Sequence, residues 1–486
     1  MKRMMPLSGV DAAFLHLETP ATPMHVASLH LFDLPARYRG DFFEHVKNRI
    51  GRRMAQVPAF RRRLATMPFN FANPVWVDDE AVDLDYHFRR IELPPPGNLA
   101  QFEDCVGALH SEPLDRQHPL WMIYVIEGLA SGQRGYYLKV HHAVLDGESG
   151  AALASAMFDL EPKPRYVATA PAPVRGGKGF GALALAAAAL RHDAGQYVKL
   201  VRHLPDVMSV LAGMIRNSPS AAKQRPAEKS EFSFGPRTPF NVSITGERGI
   251  ATLSLPLADI KAIGVAFEAT VNDVILALCA GTLRRYLARH GGVPRRPLVA
   301  TMPISLRETG DHEVTTKATL SLVSLATHLA DPVKRLLAIC AATASTKSTV
   351  KKAKSVIPTD FPGIGVPWLI SSLASAYGRL GIADHIPPLA NVAISNVLGP
   401  KVPLYAAGAR MASYWPLSIV EHGVGINITV MSYAGAMGFG FTVARNAVPE
   451  ASELSECLAD AHKELLGLLA RAKKATPHRK IASRKK

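Results

Sequence analysis

Residues 141–147 read HHAVLDG: two adjacent histidines, then an aspartate and a glycine. Imidazole titrates near neutrality, so a histidine at the end of a strand can take a proton from an attacking hydroxyl or thiol. Metal binding is the competing chemistry. Successive side chains on a strand point to opposite faces, so His141 and His142 would not both reach one ion. The HExxH spacing is absent, and no acid or cysteine cluster nearby completes a tetrahedral set. No metal and no cofactor is therefore expected. A GxSxG elbow is also absent, so the base would drive direct transfer to an acyl carbonyl, without an acyl-enzyme. Asp146 would orient the ring or hold the loop against an arginine, either Arg116 or Arg307. Gly147 would permit a tight backbone turn.

The elements that must position these groups follow from periodicity. Two apolar segments, 120–128 and 135–140, flank Ser131–Gly132 and predict an antiparallel pair, with the histidines where its second strand ends. Residues 149–160 resume a helical pattern, so HHAVLDG joins a strand to a helix. Alternation predicts strands at 24–33 and 84–93, and helical spacing predicts helices at 40–55 and 98–112. Residues 162–178 are rich in Pro, Gly and cations and read as a linker. A helical stretch runs on to about 216, and a polar linker follows at 217–238.

A second block predicts strands at 250–255, 297–302, 390–396, 424–433 and 437–444, with helices at 257–268, 271–289, 332–348 and 451–473. The fold class expected is mixed α/β in two halves. As domains these are 1–180, a helical linker or crossover 181–238, 239–470, and a basic tail 471–486.

The 271–289 helix opens on Asn272 and Asp273. Asn272 reads either as an N-cap or as an amide donor for an oxyanion at a helix N-terminus. Pro119, Leu120 and Trp121 read either as core or as a substrate wall.

A chain of 486 residues exceeds one ordinary core. The formal charge is +16, and the tail RAKKATPHRKIASRKK carries eight cations and no acid. Such a tail is either a solvated end or an attachment to anionic lipid. No RRM, KH or zinc signature accompanies the charge, so nucleic acid is not an expected partner. Four cysteines without CxxC spacing suit a reducing cytoplasm. The N-terminus lacks an apolar h-region and reads as the start of the folded domain. The most apolar stretch, Phe180–Leu190, falls short of the roughly 20 residues needed to span a bilayer. It reads as a packed helix or as an interfacial one continuing through 196–215.

HHAVLDG matches the HHxxxDG motif of the acyl-CoA-dependent acyltransferases, the superfamily of chloramphenicol acetyltransferase and of peptide-synthetase condensation domains. Further segments narrow the resemblance. PLSGVDAAFLHLETPATPMHV at 6–26, PLDRQHPLW at 113–121, NDVILALCAGTLRRYL at 272–287, PISLR at 303–307, AISNVLGP at 393–400 and GINITVMSYAGAMGFGF at 425–441 occur in order. Together they resemble the bacterial wax ester synthase/acyl-CoA:diacylglycerol acyltransferase family across nearly the whole chain. Two departures stand out: ETGDHEVTTKATL at 308–320, where a Gly-Asn-containing stretch is usual, and Leu398, where proline is common.

The resemblance implies two chloramphenicol-acetyltransferase-like α/β domains, each a mixed sheet flanked by helices, with a channel between them. It implies transfer of a long-chain acyl group from acyl-CoA to a fatty alcohol or diacylglycerol. His142 would be the general base, with His141, Asp146 and Gly147 shaping the loop. Asn272 and Asp273 would support the site, and Pro119, Leu120 and Trp121 form the family's PLW element. The enzyme would be cytoplasmic and peripheral to the inner membrane or to lipid inclusions. An acyltransferase acting on a polyketide or peptidyl acceptor is the alternative, and a non-enzymatic lipid-coat protein a third reading. Oligomeric state, acceptor and acyl length have no signature in the sequence.

Overall fold

The computed structural model describes residues 5–7, 9–54, 57–65, 74–79, 82–144, 154, 156–163, 234–305, 318–353 and 367–475. The first half runs β1 (Met5–Pro6), α1 (Gly9–Leu17), β2 (His25–Asp33), α2 (Phe42–Arg53), β3 (Arg62–Ala65), β4 (Val75–Asp78), α3 (Leu84–His87), β5 (Phe88–Glu92), α4 (Leu99–Ser111), β6 (Trp121–Glu127) and β7 (Arg134–His141). The second half runs β8 (Arg248–Pro256), α5 (Leu257–Ala266), α6 (Val271–Arg289), β9 (Val299–Ser305), β10 (Ala318–Ser324), α7 (Pro332–Ala353) and α8 (Pro367–Arg379). It ends with β11 (Val392–Val397), β12 (Tyr405–Ala406), β13 (Ala409–Leu417), β14 (Ile426–Tyr433), β15 (Ala436–Ala444) and α9 (Ser452–Ala475).

The architecture is mixed α/β, with two six-stranded sheets ordered β12–β13–β2–β7–β6–β5 and β10–β9–β11–β14–β15–β8. The expected β6–β7 pair is antiparallel, with Trp121 opposite Val140. Along β6, Trp121, Ile123 and Val125 enter one apolar cluster, and Met122, Tyr124 and Ile126 enter another. The first sheet is therefore covered on both faces, which explains why β6 reads as a continuous apolar run. The second half encloses a third cluster, with α6 at its centre.

Local chemistry places the helices. Asp41 caps α2 by accepting from the N–H groups of Phe43 and Glu44. Asn98 and Gln101 form a capping box on α4, and Thr270 and Asp273 form one on α6. The expected strand 84–93 is divided. Asp83 accepts from the N–H groups of Asp85 and Tyr86, so residues 84–87 turn helically before β5 begins.

Among the contacts that join the halves are the packing of α1 on α8 and two that involve strands. On α4, Glu103, Gly107 and Ser111 lie at four-residue spacing, one face of a helix, and cover the edge strand β8. Glu103 accepts from the N–H and hydroxyl of Thr252 (both 2.6 Å), and Ser111 Oγ accepts from Arg248 N (2.8 Å). A Cβ at Gly107 would collide with the Arg248 carbonyl. The second contact is β13, which comes from the second half yet pairs with β2 in the first sheet. It also packs on β14 and β15. A Cβ at Gly438 or Gly440 would collide with the carbonyl of Tyr414 or Pro416, so these glycines let the backbones touch. Among the described residues no single helix is long and apolar enough to cross a membrane.

Candidate active site

The two histidines stand where β7 runs out. His141 N donates to Leu120 O (3.0 Å), and His142 N donates to Met24 O (2.9 Å). Each is thus tied to the residue leading into a neighbouring strand. His142 opens a short 3-10 turn, His142–Val144.

Their surroundings differ. The His141 ring is fully buried. Its Nδ1 accepts from Ala143 N (3.1 Å), so the ring proton sits on Nε2. That nitrogen lies 3.4 Å from Glu18 Oε1, a long and mainly electrostatic approach. His142 is partly exposed and stacks on Phe14 of α1, with ring centroids 3.9 Å apart. Burial pushes its imidazole down to about 4, and the neighbouring His141 adds to the fall. At neutral pH His142 is therefore an uncharged proton acceptor.

Glu18, just past the end of α1, ties this corner together. Besides His141, Oε1 accepts from Met24 N (3.1 Å), and Oε2 accepts from Arg116 Nε (3.2 Å) and Nη2 (2.8 Å). Arg116 Nη2 also donates to Leu15 O (2.6 Å). Burial alone would raise the Glu18 carboxyl. The contact and charge of His141, with the Arg116 pair, overrule it and bring it to about 2. Sequence reasoning missed Glu18. The available signal was an acid within the 6–26 segment, six residues before Met24.

Arg116, one of the two arginines considered as partners for Asp146, is thus paired with Glu18. Asp146, Gly147 and Arg307 lie outside the described residues.

Pro119, Leu120 and Trp121 are buried. Trp121 Nε1 donates to Phe60 O (3.1 Å), and its ring stacks on His87 at 4.0 Å. Leu120 supplies the carbonyl that holds His141.

In the second half, Thr270 is the N-cap of α6, which removes that role from Asn272. The Asp273 carboxylate is engaged on both oxygens: Oδ2 accepts from Thr270 N (2.9 Å) and Oγ1 (2.6 Å), and Oδ1 from Thr343 Oγ1 (2.7 Å). Asn272 sits in the first helical turn, where the dipole favours negative charge. Its Oδ1 accepts from Asn396 Nδ2 (3.3 Å), and its Nδ2 lies 3.9 Å from Met302 Sδ. The structure thus gathers His141, His142, Glu18, Arg116 and Leu120 at one corner, and Asn272, Asn396 and Met302 at another. Among the described residues no hydrogen bond joins the two.

Residues 7–275 match the model of the wax ester synthase/diacylglycerol acyltransferase catalytic domain, and residues 316–466 match that of the WS/DGAT C-terminal domain. The chain belongs to the wax ester synthase/diacylglycerol acyltransferase family. Two Mycobacterium tuberculosis relatives carry the name diacylglycerol O-acyltransferase. One is 35% identical over 95% of this chain and 90% of its own length. The other is 34% identical over 96% of this chain and 99% of its own. A solved wax ester synthase/diacylglycerol acyltransferase from Marinobacter aquaeolei superposes with a TM-score of 0.68 at 29% identity, covering 96% of this chain and all of that one. The first condensation domain of the calcium-dependent antibiotic synthetase shares the fold, with a TM-score of 0.53 at 16% identity over 96% of both chains. This WS/DGAT is an acyltransferase, as the HHxxxDG motif and its companion segments implied.

Proposed function

We propose that this WS/DGAT transfers a long-chain acyl group from acyl-CoA to the hydroxyl of a fatty alcohol or diacylglycerol, with His142 as general base. The hydroxyl oxygen attacks the thioester carbonyl as His142 Nε2 or Nδ1 takes its proton. The tetrahedral oxyanion collapses, the C–S bond breaks, and the proton passes to the departing CoA sulfur. Ester and free CoA are the products.

The observation that carries this reading is the division between the two rings. His141 is buried with its proton turned to Glu18, whereas His142 is uncharged, partly open and held flat on Phe14. Only the second has a nitrogen free of the anchoring network. The Asn272 amide, near a helix N-terminus and oriented by Asn396, is the proposed oxyanion donor. Asp146 and Gly147 would fix the turn after the base, and the expected channel between the halves would bring the two substrates together. Because the acceptors dissolve in lipid, the enzyme would work at a membrane or inclusion surface.

Palmitoyl-CoA with hexadecanol or diacylglycerol should give free CoA in a thiol assay, and His142→Ala should lower turnover ~10²–10⁴-fold. No release with any long alcohol or glyceride would refute the reaction; full activity of the variant would place the base elsewhere. A peptidyl amine or polyketide hydroxyl consumed in their place would identify a different acceptor class.

A further inference from the structure

Six of the eleven large apolar side chains that stand exposed among the described residues fall between positions 380 and 402. Three of these stand together where β11 ends and in the short loop that leads on to β12: Val397 (40% exposed), Leu398 (92%) and Val402 (50%).

The loop is pinned to the end of β14. Gly399 N donates to Ser432 Oγ (3.2 Å), Ala434 N to Pro400 O (3.0 Å), and Leu404 N to the Tyr433 hydroxyl (2.8 Å). A Cβ at Gly399 would strike the Ser432 carbonyl, so the backbone there lies flat against its support. Leu398 is therefore held outward by a built loop. Its charge setting is one-sided: residues 385–420 contain no carboxylate, and Lys401 and Arg410 are exposed.

The site lies next to it. β9, β11 and β14 run parallel, and their carboxyl ends are where such sheets bind ligands. Asn396, which orients Asn272, is two residues before Leu398. Three side chains are too few for a stable protein interface, which needs ~800 Å² from each partner. They suffice to enter the acyl boundary of a lipid layer, with a cation at headgroup level.

We propose that the 397–402 loop seats this enzyme on an anionic lipid surface, Leu398 entering the acyl region with Lys401 at the headgroups. The acceptor then passes from the lipid to the Asn272 end of the second sheet. This rests on the acyl-transfer reading above, because a lipid-borne alcohol is what the surface would supply.

The test uses the full chain with phosphatidylcholine–phosphatidylglycerol vesicles. Leu398→Ser with Val402→Ser should weaken partitioning ~10-fold or more, at an unchanged melting temperature. Val265→Ser, which alters an 83%-exposed valine on α5, should bind like the parent. Leu398→Trp should bind more tightly, and brominated lipid should quench its added fluorescence. That last readout stands even where the double variant fails to fold.

Undiminished binding of the folded double variant, an equal loss in Val265→Ser, or an unquenched indole signal from the Leu398→Trp protein would each overturn the proposal. So would a vesicle-independent change of oligomeric state in the double variant, which would make the loop a self-association surface. CoA release by the parent enzyme in detergent micelles tests acyl transfer separately. Its failure would remove the reaction while leaving the partition result readable.

Discussion

His141 and His142 are chemically identical and adjacent in the chain, yet their partners give their protons different fates. Ala143 and Glu18 hold one ring in a fixed tautomer; burial against Phe14 keeps the other neutral. Glu18 then matters as a positioning residue, since it also holds Met24, whose carbonyl receives His142 N–H. Glu18→Ala should cost on the order of 10²-fold in kcat, the scale of an ångström-sized displacement. Its KM for acyl-CoA should change far less, and Glu18→Gln, which still accepts from Met24, should recover part of the loss. A kcat equal to the parent's would show that the anchor does not reach the base. The histidine pair was legible because two adjacent imidazoles at a strand end, followed closely by Asp and Gly, form a compact local pattern. Glu18 was not, because an acid beside a helix end looks like any solvated one until Arg116 arrives from 98 positions away.

Elements with one clear signal were readable: β6 from its apolar run, α4 from its helical spacing, α6 from its long apolar face. β13 was not. Its sequence ARMASYWPL carries Pro416, which argues against a central strand, and its pairing with β2 shifts register between Met411 and Ser413. Tertiary packing on the Gly438 and Gly440 carbonyl contacts overrides both. Residues 84–87 misled in the opposite sense, since Asp83 caps a turn that alternation alone hides. The α4–β8 joint makes its own prediction. Burial pushes the Glu103 carboxyl up to about 7, against its hydrogen bonds from Thr252. The unfolded chain ionises this group near 4.5, so native stability falls as pH rises from there through 7. Glu103→Gln keeps an acceptor oxygen without the charge. It should melt higher than the parent at pH 8, and the gap should close as pH falls to about 4.5. An unchanged gap would mean that Glu103 is ionised in the native joint.

Across the whole molecule the buried histidines set the opposite trend. Burial holds His25 well below 6.5, His30 and His110 at about 3, and His87 and His142 at about 4. Below pH 6.5 the unfolded chain takes up protons that these native imidazoles refuse. Their stability contribution is full above that pH and is lost progressively as pH falls toward 3. Burial also lowers His422 and His462, which makes seven such groups against the two raised carboxyls Glu103 and Glu421, so the urea midpoint should drop between pH 7 and pH 5. A rise over that interval would show that these rings accept protons inside the fold. The two-half α/β organisation was legible from the spacing of strands and helices. The exchange of a strand between halves was not, because register across long separations leaves no local periodicity.

That exchange has a consequence for how the chain is made. β2 pairs on one side with β7 and on the other with β13, which begins at residue 409, more than 260 positions after β7 ends. At roughly 5–20 residues per second, a ribosome releases β13 tens of seconds after the histidine-bearing strand. Until then β2 presents an open edge, the kind of strand that recruits wrong partners. The histidine corner thus emerges early but is supported late, and nascent chains halted before residue 417 should be the ones that chaperones hold.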